Sequence, residues 1–244
     1  PQALLGYGWR LPFILGGIFG FFAVWLRGWL SETPVFAAMR ERRELAQGLP
    51  LKQVLAGHLG GVAISILITW MLTAAIVVVI LMTPTLAQAQ FHVPPARAFA
   101  GNSLAALALI FGCLGAGALA DRFGFARTLL VGSLAMLAAT YVFYVDLQHG
   151  ARHFLLLYAL AGLLLGAVSV VPAVMVAVFP PAVRFSGLSF SYNLAYAVFG
   201  AMTPPLIAYL AKQWGGLAPA HYVALSALAS VLVAAYLQVA RREV

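Results

Sequence analysis

Seven continuous apolar runs, each close to the length that crosses a bilayer, follow one another along this chain: residues 11–30, 60–83, 98–120, 128–146, 154–178, 187–210 and 221–240. A helix needs about 20 such residues to cover the hydrocarbon core. Strands of a membrane barrel would alternate apolar and polar positions in ten-residue segments instead. These runs are unbroken and rich in Leu, Ala and Val, so they predict an all-α membrane protein. Hydrophobic residues make up 64% of the 244 residues and charged residues 8%, too few to give a soluble domain its polar shell. That excludes a soluble enzyme, a nucleic-acid-binding domain and a disordered tail. The first run does not read as a cleaved signal peptide, because it is too long and a charged segment follows it.

Charge orients the spans. With segment 31–58 in the cytoplasm, ten of the 14 Lys and Arg residues fall on that side: Arg27, Arg40, Arg42, Arg43, Lys52, Arg122, Arg127, Arg184, Arg241 and Arg242. Arg10, Arg97, Arg152 and Lys212 fall outside. The positive-inside rule then predicts a cytoplasmic C-terminus. The net charge of +8 reports topology and anionic lipid rather than nucleic acid. Connections at 121–127, 147–153, 179–186 and 211–220 are short, so neighbouring spans form antiparallel hairpins. Segment 31–58 is long and polar. Thr33-Pro34 predicts a helix start there, Arg40–Glu44 a solvated face, and Gly48-Leu49-Pro50 a stop. Three parts follow: a lone span in 1–30, a cytoplasmic linker over 31–58, and a six-helix block over 59–244. One span before a block of six suggests a transporter built from two halves.

Catalytic and metal chemistry find no foothold. The five histidines, His58, His92, His149, His153 and His221, sit at span ends without ligand spacing, and Cys113 is the lone cysteine. No cofactor motif, nucleophile elbow or buried Ser–His pair is legible, so the chain is not expected to be an enzyme. No Asp, Glu, Lys or Arg lies near the middle of the last six spans, so no coupling carboxylate is on display.

Polar stripes are the remaining signal. Ser189, Tyr192, Asn193 and Tyr196 share one helix face by spacing. They suit a substrate-cavity wall or, alternatively, interhelical hydrogen bonds. Ser65, Thr69 and Thr73 form a second stripe beside Trp70, a tryptophan at mid-membrane depth where the residue is uncommon. Thr69 and Trp70 are cavity candidates, with packing as the other reading. Tyr158 lies on a face with Gly162, Gly166, Ser169 and Pro172. Gly162 and Gly166 make a small-xxx-small pair suited to close helix packing. Pro172 is expected to kink its helix, and Pro204-Pro205 the next one.

Gly117–Arg127 (GALADRFGFAR) resembles the G-x-x-x-D-R-x-G-x-x-R loop of the major facilitator superfamily. Gly117 and Gly124 would permit a tight turn there, and Asp121 would accept backbone N–H bonds at a helix start. Arg122 and Arg127 hold the cytoplasmic side. Gly8–Phe13 (GWRLPF), Leu30–Phe36 (LSETPVF), and Phe179–Gly187 (FPPAVRFSG) running on to Ser191-Tyr192-Asn193 resemble the metabolite:proton symporter family of that superfamily. Phe125 and Ala126 stand where relatives carry paired basic residues, and Ala177 and Val178 where an acid often precedes the Phe-Pro. Both changes weaken a cytoplasmic charge network. The resemblance implies the C-terminal six-helix bundle of a major facilitator fold plus the last helix of the N-terminal bundle, with the seven runs as spans six to twelve. It implies proton-coupled symport of a small carboxylate or zwitterionic osmolyte across a bacterial inner membrane. The implied partners are the bilayer, the substrate, protons and a missing N-terminal helical bundle, with Gly117, Asp121, Arg122, Gly124, Arg127 and Arg184 at the cytoplasmic gate. A uniporter or exchanger, and a self-sufficient seven-span receptor or sensor, remain open as alternatives.

Overall fold

The structure, a computed structural model, describes residues 7–29 and 49–240. It divides into two units, Pro1–Leu45 and Ala46–Val244. In the first unit a 3₁₀ turn, Gly8–Arg10, leads into helix α1, Leu11–Arg27. Pro12 stands in the first turn of α1, where its fixed φ suits a helix start, and Arg27 in the last turn complements the free carbonyls. Trp25 packs against Phe22 and Trp29 at ring separations of 5.6 and 4.9 Å. The expected helix start at Thr33-Pro34 and the solvated face at Arg40–Glu44 lie outside the described residues.

The second unit opens with a short helix α2, Pro50–Gly57, whose Val54 is buried. Pro50 begins this helix as a first-turn proline; the helix whose stop was expected at Gly48-Leu49-Pro50 lies outside the described residues. Four long helices follow: α3 (Leu59–Phe91), α4 (Pro95–Phe123), α5 (Phe125–Gln148) and α6 (Phe154–Val178). Helix α7 comprises Arg184–Ala195, a π-helical turn Tyr196–Gly200, and Ala201–Trp214. Helix α8 is Ala218–Ala240.

Among the described residues five uninterrupted helical stretches are long and apolar enough to cross a membrane, the last covering 57 residues over Arg184–Ala240. That last stretch is two crossings. Gly215 has φ 70°, and Thr203 and Tyr222 on either side of it are hydrogen-bonded at 2.7 Å. In a straight helix at ~1.5 Å per residue they would stand ~28 Å apart. Several of the helices continue past the apolar runs read from sequence. Helix α3 goes on to Phe91 before His92 caps it in the left-handed region.

Prolines interrupt the regular hydrogen bonding of these helices. A proline lacks an N–H and crowds the carbonyl four residues back. Pro172 follows a 3₁₀ segment, Gly166–Ser169, and Pro204-Pro205 follow the π turn in α7. Pro84, which the sequence reading passed over, follows a π-helical segment in α3, Ala75–Met82. Side chains reach two carbonyls of this segment: the Thr83 hydroxyl joins its own N–H on Val78 O, at 2.9 Å, and Tyr158 donates to Val79 O at 2.7 Å.

Helices α4 and α6 touch backbone to backbone. A Cβ on Gly162 would strike the Ala105 carbonyl, and one on Gly166 or Gly112 would strike the facing main chain. This is the close packing expected of the Gly162/Gly166 pair, with Gly112 as its opposite half. Helices α5 and α8 run antiparallel, with Tyr141 paired to His221 at 2.6 Å and Ser133 to Ser230 at 3.2 Å. Contacts sort the bundle into two ends. Arg97 donates to Ala151 O at 2.8 Å, and Gly216 approaches Phe91 and Gln148, so the turns after α3, α5 and α7 share one end. Phe179 packs against Gly61 and Gly187, so the starts of α3 and α7 share the other.

Candidate functional site

Helices α3 and α7 run side by side in the same direction, which brings Trp70 onto the face of α7 that carries the predicted stripe. Trp70 stacks on Phe199 at 5.0 Å and 16°. Its indole N–H donates to the Tyr222 hydroxyl at 3.0 Å, which pairs in turn with Thr203 Oγ1 at 2.7 Å. Thr203 also donates to the carbonyl of Phe199 one turn back. An indole N–H inside hydrocarbon needs a partner, and here three helices supply the chain of partners. The π turn at Tyr196–Gly200 adds one residue to the helical count, which lets Phe199 face Trp70 while Thr203 faces α8.

One turn before this cluster, Tyr192 and Tyr196 pack ring to ring at 4.6 Å, both half-buried. Asn193 is exposed and turns its amide N–H onto the Ser189 carbonyl at 2.8 Å. Ser189 is half-buried, whereas Gly187, Ser191 and Ala195 on the other face of α7 are buried. Trp70, Ser189, Tyr192, Asn193, Tyr196 and Phe199 thus form a partly open wall of rings with one amide and three hydroxyls.

Two candidates stand elsewhere. Thr69 is fully buried, and its hydroxyl points at Met175 Sδ 3.5 Å away. Ser65 and Thr73 on the same stripe are buried too, so the stripe faces the inside of the bundle. Tyr158 is also fully buried, stacked on Phe143 at 4.7 Å, with its hydroxyl between Val79 O and Asn102 Oδ1 at 2.7 and 2.6 Å. Both residues pack the core of this unit.

The motif residues are placed at the end shared by the starts of α3 and α7. Gly124 is the sole non-helical residue between α4 and α5, with φ 88°, and it makes the expected tight turn. Gly117 does not, because α4 stays helical through it to Phe123. Asp121 is exposed on α4, and α5 has no side-chain cap, so the expected cap is not made. Arg122 lies over the Phe123 ring at 5.1 Å, and Arg127 is exposed. Arg184 donates from Nε to Phe179 O at 3.2 Å and so closes its own loop. That loop drives Phe179 into the bundle, where a Cβ on Gly187 would meet the ring at 2.6 Å.

Sequence reasoning missed Phe199, Thr203 and Tyr222. Thr203 sits beside Pro204-Pro205, which drew the reading to backbone geometry. Tyr222 opens its run, where tyrosine ordinarily belongs to the interfacial belt.

The chain is similar to the citrate-proton symporter of Klebsiella pneumoniae, 29% identical over an aligned length of 247 residues that covers 97% of this chain and 54% of that protein. It is 26% identical over 252 residues to the glycine betaine/proline/ectoine/pipecolic acid transporter OusA of Dickeya dadantii (strain 3937), covering 97% of this chain and 49% of that one. It is 27% identical over 236 residues to the inner membrane metabolite transport protein YhjE of Escherichia coli (strain K12), covering 93% and 53%. The chain therefore spans about half the length of the curated relatives it matches. No family model and no solved structure matches it. These relatives are named as transporters, not enzymes, and the fold is all-α with spanning helices. The chain is a multi-pass membrane protein similar, over nearly all of its own length, to about half of each of these bacterial transporters.

Proposed function

We propose that this protein is part of a secondary transporter that carries a small polar metabolite with protons by alternating access. The observation that carries the reading is the wall of Trp70, Tyr192, Asn193, Tyr196 and Phe199 on α3 and α7. Rings offer a face to an alkyl or ammonium group, and the amide offers a partner to a carboxylate. The substrate class is a small carboxylate or a zwitterionic osmolyte, in keeping with the citrate and betaine named for the relatives. This bundle supplies one side of the path and a complementary N-terminal helical bundle supplies the other. The proton-coupling acid belongs to that second bundle, because no Asp or Glu lies near the middle of the spans of this one. The Gly124 turn and the Phe179–Arg184 loop form the cytoplasmic gate of a transporter in a bacterial inner membrane.

The test is uptake of labelled citrate and glycine betaine by the intact protein in proteoliposomes, with acid outside. One substrate is expected to accumulate and to leak away when a protonophore collapses the gradient. Trp70→Ala and Asn193→Ala are each expected to reduce that uptake about tenfold or more, the size of a lost buried contact. Full uptake in both variants would remove the wall from the substrate path. Uptake indifferent to the gradient would point to a uniporter or exchanger.

A further inference from the structure

The flank of the bundle formed by α4, α5 and α6 holds an open groove of about 550 Å³. Phe111, Leu119 and Phe123 of α4 and Val131 of α5 form its sides, with Ala167 of α6 in the floor. No residue of α3, α7 or α8 lines it, so it is separate from the aromatic wall. Its size is that of a small-molecule site, which runs ~300–1,000 Å³. From Phe111 to Phe123 the groove rises ~18 Å at ~1.5 Å per residue. That is close to the ~15 Å depth of one leaflet, half of a ~30 Å hydrocarbon core.

The lining has two polar members. Thr128 donates its hydroxyl to Gly124 O at 3.0 Å, which leaves it no proton for an occupant. Arg127 sits at the mouth, exposed, with no hydrogen-bond or ion-pair partner among the described residues. Arg122 lies beside it over the ring of Phe123, itself a groove residue, and Asp121 is the acid on that turn. The mouth therefore carries a net positive charge above an apolar channel.

Gly115 is the second observation. Packing requires Gly112, whose Cβ would strike the Leu163 carbonyl, but a Cβ on Gly115 would meet nothing within 4 Å. A mid-helix glycine is destabilising relative to alanine, and neither packing nor backbone conformation calls for this one. What the missing side chain does is keep the groove open.

We propose that the groove is a binding site for an anionic phospholipid, with one acyl chain laid along α4 and α5 and the head-group phosphate on Arg127. A guanidinium matches a phosphate with two parallel hydrogen bonds. The net charge at the mouth favours a head group that stays anionic over a zwitterionic one. Site and ligand are independent of the substrate and of the direction of transport.

The test is native mass spectrometry of the intact protein after exposure to equal amounts of dioleoylphosphatidylglycerol and dioleoylphosphatidylcholine. Wild type is expected to retain one phosphatidylglycerol over phosphatidylcholine by about fivefold, the preference one cation supplies near an anionic lipid. Gly115→Leu, which fills the groove from α4, is expected to lose the retained lipid. Val131→Trp fills it from α5 and serves if the first variant unfolds at a lower temperature. Arg127→Gln is expected to keep a lipid but lose the preference. Equal retention of both lipids by wild type overturns the proposal, and so does lipid retained unchanged by the filled variants. A dimer that the filled variants dissociate overturns it as well, by assigning the groove to a second copy of the chain.

Discussion

Trp70 joins three helices through one side chain: it belongs to α3, stacks on Phe199 of α7 and donates to Tyr222 of α8. Tyr222→Phe keeps the ring and removes the shared oxygen, so the indole N–H loses its acceptor while Thr203 keeps the Phe199 carbonyl. Hydrogen bonds between membrane helices are worth roughly 0.6 kcal/mol and up to about 1.7. The expected loss is about 1 kcal/mol, read as a lower unfolding temperature in detergent; an unchanged temperature would argue against the network. Tyr158→Phe separates packing from transport. It frees the Val79 carbonyl, which the π segment has already taken out of the helical ladder, and Asn102 with it. Leaving a buried acceptor unpaired costs about 1–3 kcal/mol. Stability is expected to fall by that amount while substrate KM stays put, and a shifted KM with intact stability would return Tyr158 to the substrate path. Residue type marked Trp70 as unusual in the sequence, and helical spacing put Tyr192 and Tyr196 on one face. It could not separate Thr69, which faces the core, from Trp70 next to it, which faces the wall, because both lie within one turn of a helix that is apolar on every side.

At the scale of the helix, glycines that look alike in sequence do opposite work. Gly112 and Gly115 are one turn apart on α4, yet an added methyl strikes the Leu163 carbonyl at the first and open space at the second. Gly112→Ala is therefore expected to cost about 1–3 kcal/mol through overpacking. Gly115→Ala is expected to gain up to about 1 kcal/mol from helix propensity. Unfolding temperatures of the two variants in the same detergent check the contrast, and equal shifts would mean that α4 and α6 do not cross where described. Sequence showed the spans, because a run of about twenty apolar residues has one economical conformation in a bilayer. Pro172 and Pro204-Pro205, where it predicted kinks, each follow a segment of irregular helix. It did not show where the helices stop, since α3 runs on through Gln88 and Gln90 into polar surroundings that apolar periodicity cannot register. The π segment before Pro84 escaped notice because Pro84 lies one residue past the end of the apolar run, outside the stretch that periodicity reads.

For the molecule as a whole, the open question is which end of the bundle faces the cytoplasm. Within the described bundle the charges nearly balance: Lys52, Arg122, Arg127 and Arg184 belong to one end, and Arg97, Arg152 and Lys212 to the other. The remaining basic residues, Arg27, Arg40, Arg42 and Arg43 before α2 and Arg241 and Arg242 after α8, flank the bundle in sequence. By the positive-inside rule these flanking segments are expected to set the orientation. With Cys113 replaced by alanine, the chain has no other thiol, so a single introduced cysteine reports its own side. His149→Cys, at the exposed turn after α5, is expected to react with a membrane-impermeant maleimide in intact cells. Phe185→Cys, 84% exposed at the start of α7, is expected to react only after the cells are opened. The reverse pattern would put the Gly124 turn and the Phe179–Arg184 loop outside and end their assignment as a cytoplasmic gate. Because the bundle's own charges are so evenly divided, neutralising Arg40, Arg42 and Arg43 together is expected to yield a mixed population labelled from both sides. The same change in a chain whose bundle fixed its own orientation would leave the labelling as it was.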